Sequence, residues 1–217
     1  MPDAIPRILH VITPDKTRFP EIPPGWDLRL WDDTDAAAFM ARHHPGLLPA
    51  YERFPRHIQR LDVLRLLLVH AHGGFYLDSD VTLLQPLDDL LSHGLVLGVE
   101  KVLLEREMQV PEHRHAVRIA NYLFGARPGH PFLWQFALAA LARHDQPVRT
   151  EMDVLETTGP GHLTNFFHAH RHEHPDLHLL PDPGLPCPKR CSPQPACHFG
   201  PYAVHRHEGS WRTGFAH

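Results

Sequence analysis

The stretch Gly73-Gly74-Phe75-Tyr76-Leu77-Asp78-Ser79-Asp80-Val81 decides how the sequence is interpreted. Two glycines and a short apolar run predict a turn that leads into a buried strand. Two carboxylates follow at positions i and i+2, and this spacing places both on one side of an extended chain. Such oxygens suit Mg²⁺ or Mn²⁺, which keep open positions for phosphate oxygens. The stretch therefore predicts a metal site for chemistry at phosphate, although Asp also often caps a turn.

Strand and helix signals alternate on both sides of this stretch. A long helix is predicted from about His57 to His72, because leucines recur at helical spacing and the two glycines end the run. The predicted strands cover residues 7–12, 27–31, 75–77, 81–84, 95–100, 119–125, 177–180 and 202–205, and the other predicted helices cover 35–43, 87–91, 131–143 and 161–168. The alternation predicts an α/β fold with one mostly parallel sheet flanked by helices, in which ligands lie beyond the carboxyl ends of the strands.

Length and composition predict one soluble domain over residues 1–217, with a Cys- and Pro-rich loop at about 181–200. The chain is 42% hydrophobic and 21% charged, so disordered and membrane-spanning classes are not expected. Its net charge of −4 and scattered basic residues argue against nucleic-acid binding. The first residues contain no apolar run long enough for a signal peptide, so a cytoplasmic location is expected, with peripheral membrane association left open.

The chain is unusually rich in histidine, with 21 His against 21 Lys and Arg combined. Histidines 168, 170, 172 and 174 lie in or just after a predicted helix, where pairs spaced by four would share a face and could bind a metal. A non-enzymatic, His-rich metal-binding protein is therefore one possible interpretation. A solvated helix end is the simpler one, because no carboxylate-rich shell accompanies these residues.

A second motif precedes the glycines and extends the pattern. The stretch Leu61-Asp62-Val63-Leu64-Arg65, followed by the segment 73–81, resembles the DXD-containing sugar transferases. This family includes the fungal initiating mannosyltransferases and small bacterial capsule and polysaccharide transferases, and is distantly related to large glucosylating toxins. Further blocks of resemblance are Ile5-Pro6-Arg7-Ile8-Leu9-His10, Ile119-Ala120-Asn121-Tyr122, Arg127-Pro128-Gly129-His130-Pro131, Thr158-Gly159-Pro160 and the segment from His205 to Trp211.

The resemblance implies a GT-A type glycosyltransferase built on a single Rossmann-like sheet. It implies a UDP- or GDP-linked sugar as donor, Mn²⁺ or Mg²⁺ as cofactor, and transfer of a hexose with retention of anomeric configuration. The acceptor would be a hydroxyl of a glycan, a lipid-linked glycan, a peptide or a natural product. A metal ion would act as Lewis acid on the leaving nucleoside diphosphate.

The resemblance also implies roles for residues around the two motifs. Asp80 would bind the metal directly, and Asp78 would contact the ribose or sugar and the water shell of the metal. Asp62 and Arg65 lie at i and i+3 on one helical face, so both can point at the donor sugar and phosphate. Their simpler interpretation is a surface ion pair. Asn121 is expected near the reaction centre.

Other predicted site residues lie near the two ends of the chain. His205 is expected as the third protein ligand of the metal, with His207 as the alternative. Ser210 and Trp211 would close over the diphosphate, although Trp211 could instead anchor the core. Ile12 is assigned to donor binding at the end of the first strand. The family commonly ends this strand with Gln-Ile-Trp, with the aromatic residue near the base, whereas this chain has Val11-Ile12-Thr13.

Two more interpretations concern different chemistry. The segment Asp78-Ser79-Asp80-Val81-Thr82 also fits the Asp-x-Asp-x-Thr pattern of haloacid-dehalogenase-type phosphatases, with Asp78 as nucleophile. Those enzymes need a later acidic pair at a strand end, whereas Asp88-Asp89 lies in a predicted helix.

Separately, four soft ligands could form a zinc site, or the thiols could form one disulfide or stay free. These ligands are Cys187, Cys191, Cys197 and His198.

Overall fold

The computed structural model describes residues 4–17, 19, 21–209 and 212. Its strands are β1 (Ile8–Ile12), β2 (Asp27–Trp31), β3 (Gly74–Leu77), β4 (Val81–Leu83), β5 (Leu95–Val102), β6 (Val117–Ile119), β7 (Leu123–Ala126), β8 (Leu177–Leu180), β9 (His198–Phe199) and β10 (Ala203–His205). Its α-helices are α1 (Asp33–His43), α2 (Leu48–Glu52), α3 (His57–His72), α4 (Pro131–Leu141), α5 (Glu151–Thr157) and α6 (Pro160–His170). Short 3₁₀ helices cover Asp88–Leu90, Glu105–Gln109 and Arg171–Glu173.

Seven strands form the main sheet, in the order β2-β1-β3-β7-β5-β6, with β8 paired to β5. Strands β2, β1 and β3 are mutually parallel, and β5 and β8 run in the same direction because β7 is antiparallel to both β3 and β5. Only β7 and β6 oppose the others. The predicted α/β fold with a mostly parallel sheet and flanking helices is confirmed.

Helix α3 is the central helix of the fold. Its residues from Asp62 to Val69 are all buried, which a helix with one polar face could not achieve. The burial includes Gln59, Asp62 and Arg65, and buried polar groups need hydrogen-bond partners. The polar part of the protein interior therefore lies around these three side chains.

The two glycines after α3 are required by a close approach of two strands. Gly73 and Gly74 have φ values of +69° and +95°, which side chains rarely tolerate. A Cβ on Gly74 would lie 2.4 Å from the carbonyl oxygen of Ile8 in β1. The glycines thus let β3 enter the sheet beside β1 and end with Asp78 at the carboxyl edge.

The predicted strand over 119–125 is wrong as one element. It is two strands, because β6 pairs with the end of β5 whereas β7 pairs with β3 and with the beginning of β5. The chain steps between these partners at residues 120–122, and the step places Asn121 next to α3. Helices α2 and α5 were not predicted, although Thr150 and Asp153 form a capping box that indicates the start of α5.

A small antiparallel sheet, β4-β10-β9, returns the C-terminal part of the chain to the Asp78–Asp80 turn. In its register His205 pairs with Val81. No helix in the described part of the chain has both the length and the apolar character needed to cross a bilayer.

Candidate active site

A cavity of about 970 Å³ lies at the carboxyl ends of β1 and β3. Among its lining residues are all the sequence-predicted site residues that the structure describes, namely Ile12, Asp62, Arg65, Asp78, Asp80, Asn121, His205 and His207. Ser210 and Trp211 lie outside the described residues. The cavity is where an α/β sheet is expected to bind its ligand.

Asp62 and Arg65 form a buried ion pair, so the interpretation as a surface pair is wrong. Arg65 Nη2 lies 3.1 Å from Asp62 Oδ1, and each side chain is only 5% exposed. Asp62 Oδ2 accepts a hydrogen bond from Thr158 Oγ1 at 2.7 Å, and Oδ1 accepts one from Asn121 Nδ2 at 3.3 Å. Burial raises the pKa of Asp62 to about 6, against the opposing effects of Arg65 and Thr158. The ion pair with Arg65 and the hydrogen bonds from Thr158 and Asn121 stabilise the carboxylate form of this buried group.

Arg65 also reaches across to the strand end. Its Nη1 donates to Asp78 Oδ1 at 3.0 Å and to the Asn121 carbonyl at 3.1 Å. The guanidinium carbon lies 4.7 Å from the centre of the Tyr76 ring, and the Tyr76 hydroxyl donates to the same Asp78 oxygen. One guanidinium thus holds two carboxylates in a fixed relation, which its forked geometry suits.

Asp80 faces the segment that follows β10. His205 Nε2 lies 3.1 Å from Asp80 Oδ1, and the backbone N–H of Glu208 donates to Oδ2 at 2.8 Å. Although burial raises the pKa of Asp80, the hydrogen bonds from His205 and Glu208 lower it to about 2. The His205 ring stacks on Tyr122 with 4.3 Å between centroids.

The ligand atoms of Asp78, Asp80 and His205 all lie within 4.8 Å of one another. Two carboxylates and one imidazole suit a divalent ion such as Mn²⁺. His205 Nδ1 is buried with no hydrogen-bond partner, so the ring is not committed to another polar contact on that side. The geometry fits the predicted metal site and places His205, rather than His207, at it.

His207 belongs to a different cluster. Its Nε2 lies 2.7 Å from the Cys197 sulfur, and the sulfurs of Cys187 and Cys191 complete the group. All three cysteines are free. His198, which the sequence suggested as the fourth ligand, instead lies 3.3 Å from the Pro186 carbonyl. Among the described residues the cysteines are therefore grouped with His207 and not with His198.

The His-rich metal-binding and phosphatase interpretations lack support in the described residues. Helix α6 ends at His170, so the predicted shared helical face of His168 and His172 is not formed. His168 contacts the Val117 carbonyl at 3.0 Å, and His170 pairs with Glu173. The side chain of Asp88 is bonded to Arg7 and Trp26, and neither Asp88 nor Asp89 lines the cavity, so this acidic pair does not face Asp78 as a phosphatase would require.

Sequence reasoning missed several residues that shape the site. Tyr76 lies in β3, two positions before Asp78, which directly follows the strand, so strand alternation already placed both on one side. Glu208 acts through its backbone N–H, for which no side-chain signal exists. Thr158 was expected only as part of a loop, whereas its hydroxyl contacts buried Asp62 directly.

Comparisons with known proteins agree with this geometry. Residues 16–97 match the family described as "Glycosyltransferase sugar-binding region containing DXD motif". The chain is 30% identical over 111 residues to inositol phosphoceramide mannosyltransferase 1 of Schizosaccharomyces pombe, covering 51% of this chain and 31% of that protein. It is 25% identical over 192 residues to the initiation-specific alpha-1,6-mannosyltransferase of Saccharomyces cerevisiae, covering 69% of this chain and 40% of that protein. It therefore spans about a third of the length of the curated relatives it matches.

A solved structure titled PaToxG glycosyltransferase has a similar fold, with a TM-score of 0.50 and 15% sequence identity. The match covers 77% of this chain and 70% of that one, which supports the predicted GT-A type architecture. The family match and the mannosyltransferase relatives confirm the resemblance inferred from the two motifs. Residues 16–97 of this chain are similar to the DXD-containing sugar-binding region of that glycosyltransferase family.

Proposed function

We propose that this chain is a metal-dependent glycosyltransferase that moves a hexose from a nucleotide-sugar donor to an acceptor hydroxyl. One observation carries the proposal: the possible metal ligands Asp78, Asp80 and His205 lie on the same cavity as the buried Asp62–Arg65 pair. A sugar linked to a diphosphate needs a cation that binds its phosphates and a buried carboxylate that accepts hydrogen bonds from its sugar hydroxyls.

Asp80, His205 and Asp78 would hold Mn²⁺ or Mg²⁺, which supplies Lewis-acid stabilisation of the charge that develops on the departing diphosphate. Arg65 holds Asp78 in place from the opposite side, so the carboxylate reaches the site already oriented. The N–H of Glu208 does the same for Asp80. Ile12 lines the cavity at the end of β1 and would contact the nucleotide part of the donor there.

Asp62 is suited to bind the donor sugar. A carboxylate offers about four acceptor positions, and Arg65, Asn121 and Thr158 occupy three of those of Asp62. The remaining position on Oδ2 can accept one sugar hydroxyl. Because the fixed donors already compensate the burial of this charge, the hydroxyl binds to a preorganised group.

The names of the relatives bear on the choice of sugar. Several are mannosyltransferases, which favours mannose as the transferred hexose, and three names include a phosphoceramide, which favours a lipid-linked acceptor among the possible classes. Retention of anomeric configuration and the nucleotide, UDP or GDP, are parts of the proposal that rest on the family resemblance.

The test is a panel of UDP- and GDP-sugars with Mn²⁺, in which nucleotide release is measured for the wild type and for Asp80→Asn. The wild type should use at least one donor only with metal present, and the variant should lose about a hundredfold or more in rate. Asp89→Asn, which removes an exposed carboxylate outside the cavity lining, is the control and should keep full activity. A wild type that neither binds nor cleaves any donor, or an equally active Asp80→Asn, would overturn the proposal.

A further inference from the structure

Three sulfurs and one imidazole nitrogen converge beside the cavity. The Sγ atoms of Cys187, Cys191 and Cys197 form a triangle with sides of 3.0, 3.3 and 3.3 Å. His207 Nε2 lies 2.7 Å from the Cys197 sulfur, and all four ligand atoms are within 4.8 Å of one another. Cys187 and Cys197 are buried, whereas Cys191 is exposed.

This arrangement suits a metal better than a disulfide or three free thiols. A disulfide would join two sulfurs but would not explain why the third sulfur and the imidazole lie beside them. Thiols are weak hydrogen-bond donors, so bonds among them do not explain the cluster. Three thiolates and one histidine are a common ligand set of tetrahedral structural zinc.

The backbone around the first two cysteines supports the same conclusion. The N–H of Cys191 points at the Cys187 sulfur at 3.4 Å, and the N–H of Arg190 donates to the Cys187 carbonyl at 3.1 Å. The chain thus turns around the Cys187 sulfur and presents a backbone donor to it. Hydrogen bonds of this kind orient a metal-bound ligand and stabilise its charge.

Backbone conformations in the described residues concentrate strain at this cluster. The non-glycine residues with positive φ are Arg190, Cys197 and His207, at 53°, 71° and 52°. Two belong to the cluster and the third directly precedes Cys191. Such conformations persist where the surroundings determine them, and a metal bound to Cys197 and His207 would do so.

The loop that carries the cysteines has little regular secondary structure. Between β8 and β9 it forms only isolated bridges, Lys101 with Ala196 and Pro186 with Pro195. Its small buried cluster contains Cys187, Ala196 and Cys197, separate from the two main cores. Long loops of this kind in compact proteins are often held by a metal or a crosslink.

We propose that Cys187, Cys191, Cys197 and His207 bind one structural Zn²⁺, distinct from the cation at Asp78 and Asp80. The three thiols lose their protons to solvent on binding, and the neutral imidazole binds the metal through the lone pair of Nε2. Because His207 lies two residues after His205, the zinc would anchor the segment that places His205 and the Glu208 N–H against Asp80.

The first test measures metal in the untagged wild-type chain, expressed with zinc and dialysed against EDTA, which removes weakly bound cations. About one zinc per chain should remain, and an organomercurial that reacts with thiolates should release it. Cobalt replacing the zinc should show thiolate charge-transfer absorption and the strong visible bands of a tetrahedral site. These readouts are independent of sugar transfer.

Matched variants identify the fourth ligand. His207→Gln should bind zinc at least about tenfold more weakly, whereas His207→Cys should retain it and His198→Gln should bind it as the wild type does. No zinc in the wild type, cobalt without thiolate absorption, or only one titratable thiol in the denatured, unreduced chain would each overturn the site. Loss of zinc from His198→Gln with retention in His207→Gln would overturn the choice of ligand. The cobalt titration of the wild type decides the question even if a variant fails to fold.

Discussion

His205 Nε2 lies 3.1 Å from Asp80 Oδ1, and the two side chains are only 12% and 13% exposed. Their contact follows from the small sheet, in which β10 pairs antiparallel with β4 so that His205 is opposite Val81, the residue after Asp80. Strand pairing therefore delivers a histidine from near the C-terminus to a turn in the first half of the chain.

Replacing His205 with Ala should weaken the binding of Mn²⁺ to the active site. Since the imidazole is one of three groups placed to hold the cation, we expect the Mn²⁺ concentration for half-maximal activity to rise at least about tenfold. Electron paramagnetic resonance of free Mn²⁺ gives the binding constant directly. His178→Ala, in β8 and outside the cavity lining, should behave like the wild type. Equal Mn²⁺ affinity in the wild type and His205→Ala would remove His205 from the site.

Replacing Arg65 with Met should destabilise the protein strongly. The guanidinium compensates Asp62 and Asp78 inside the protein, and removing one partner of a buried ion pair costs about 3–5 kcal/mol. Arg29→Met breaks a pair with Asp27 whose side chains are 35% and 57% exposed, so it should cost no more than about 1 kcal/mol. Urea denaturation measures both. A similar cost for the two variants would contradict the central role given to the buried pair.

Gly74→Ala should be among the most destabilising glycine substitutions in this chain. Its Cβ would meet the Ile8 carbonyl at 2.4 Å, and its φ of +95° is unfavourable for alanine, so a loss above about 1 kcal/mol is expected. At Gly25 the φ is +81°, but an added Cβ would meet no atom within 4 Å. At Gly46 the space is also open, and φ is not positive. Thermal denaturation should rank the three in the order Gly74, Gly25, Gly46. A Gly74→Ala variant as stable as Gly46→Ala would show that β1 and β3 need no glycine between them.

The stability of the protein should fall in mild acid because of buried histidines. Burial lowers the pKa of His10 from 6.5 to about 4, with a further effect of nearby His72. The neutral ring is fully bonded: Nε2–H donates to the Gly73 carbonyl at 2.9 Å, and Nδ1 accepts from the Trp31 indole N–H at 3.2 Å. Protonation of Nδ1 would make it a second donor facing the Trp31 indole N–H, so this hydrogen bond would be lost. The folded state therefore favours the neutral ring.

The direction of the pH effect follows from this lowered pKa. Above about pH 6.5 the ring is neutral in both states, and as the pH falls towards 4 the unfolded chain takes up the proton first, so about 3 kcal/mol is lost from His10 alone. The pKa of His162 is also lowered to about 4 by burial, so it should add to the loss. His10→Gln keeps a donor for the Gly73 carbonyl without titrating, and should flatten the dependence of the urea midpoint on pH. His172→Gln, at a side chain 73% exposed, should not. Identical slopes for His10→Gln and the wild type would assign the acid sensitivity elsewhere.

Local pattern was enough to predict most strands and helices. The glycines before Phe75 and the leucines of α3 indicate a turn and a helix because short-range sterics and periodic burial act within a few residues. The segment 119–125 shows the limit of this reasoning. Its composition is extended throughout, but the break into β6 and β7 depends on which strands lie beside it.

The same division holds for the site. The sequence by itself determined the two carboxylates at i and i+2, the Asp62–Arg65 spacing on one helical face and the family these motifs resemble, because each is a property of neighbouring residues. Only the tertiary structure decided that this ion pair is buried, that His205 rather than His207 faces Asp80, and that His207 rather than His198 joins the cysteines. Those outcomes depend on strand register and on helix packing between distant segments, and two histidines two residues apart in the chain carry nothing in their own identity that distinguishes them.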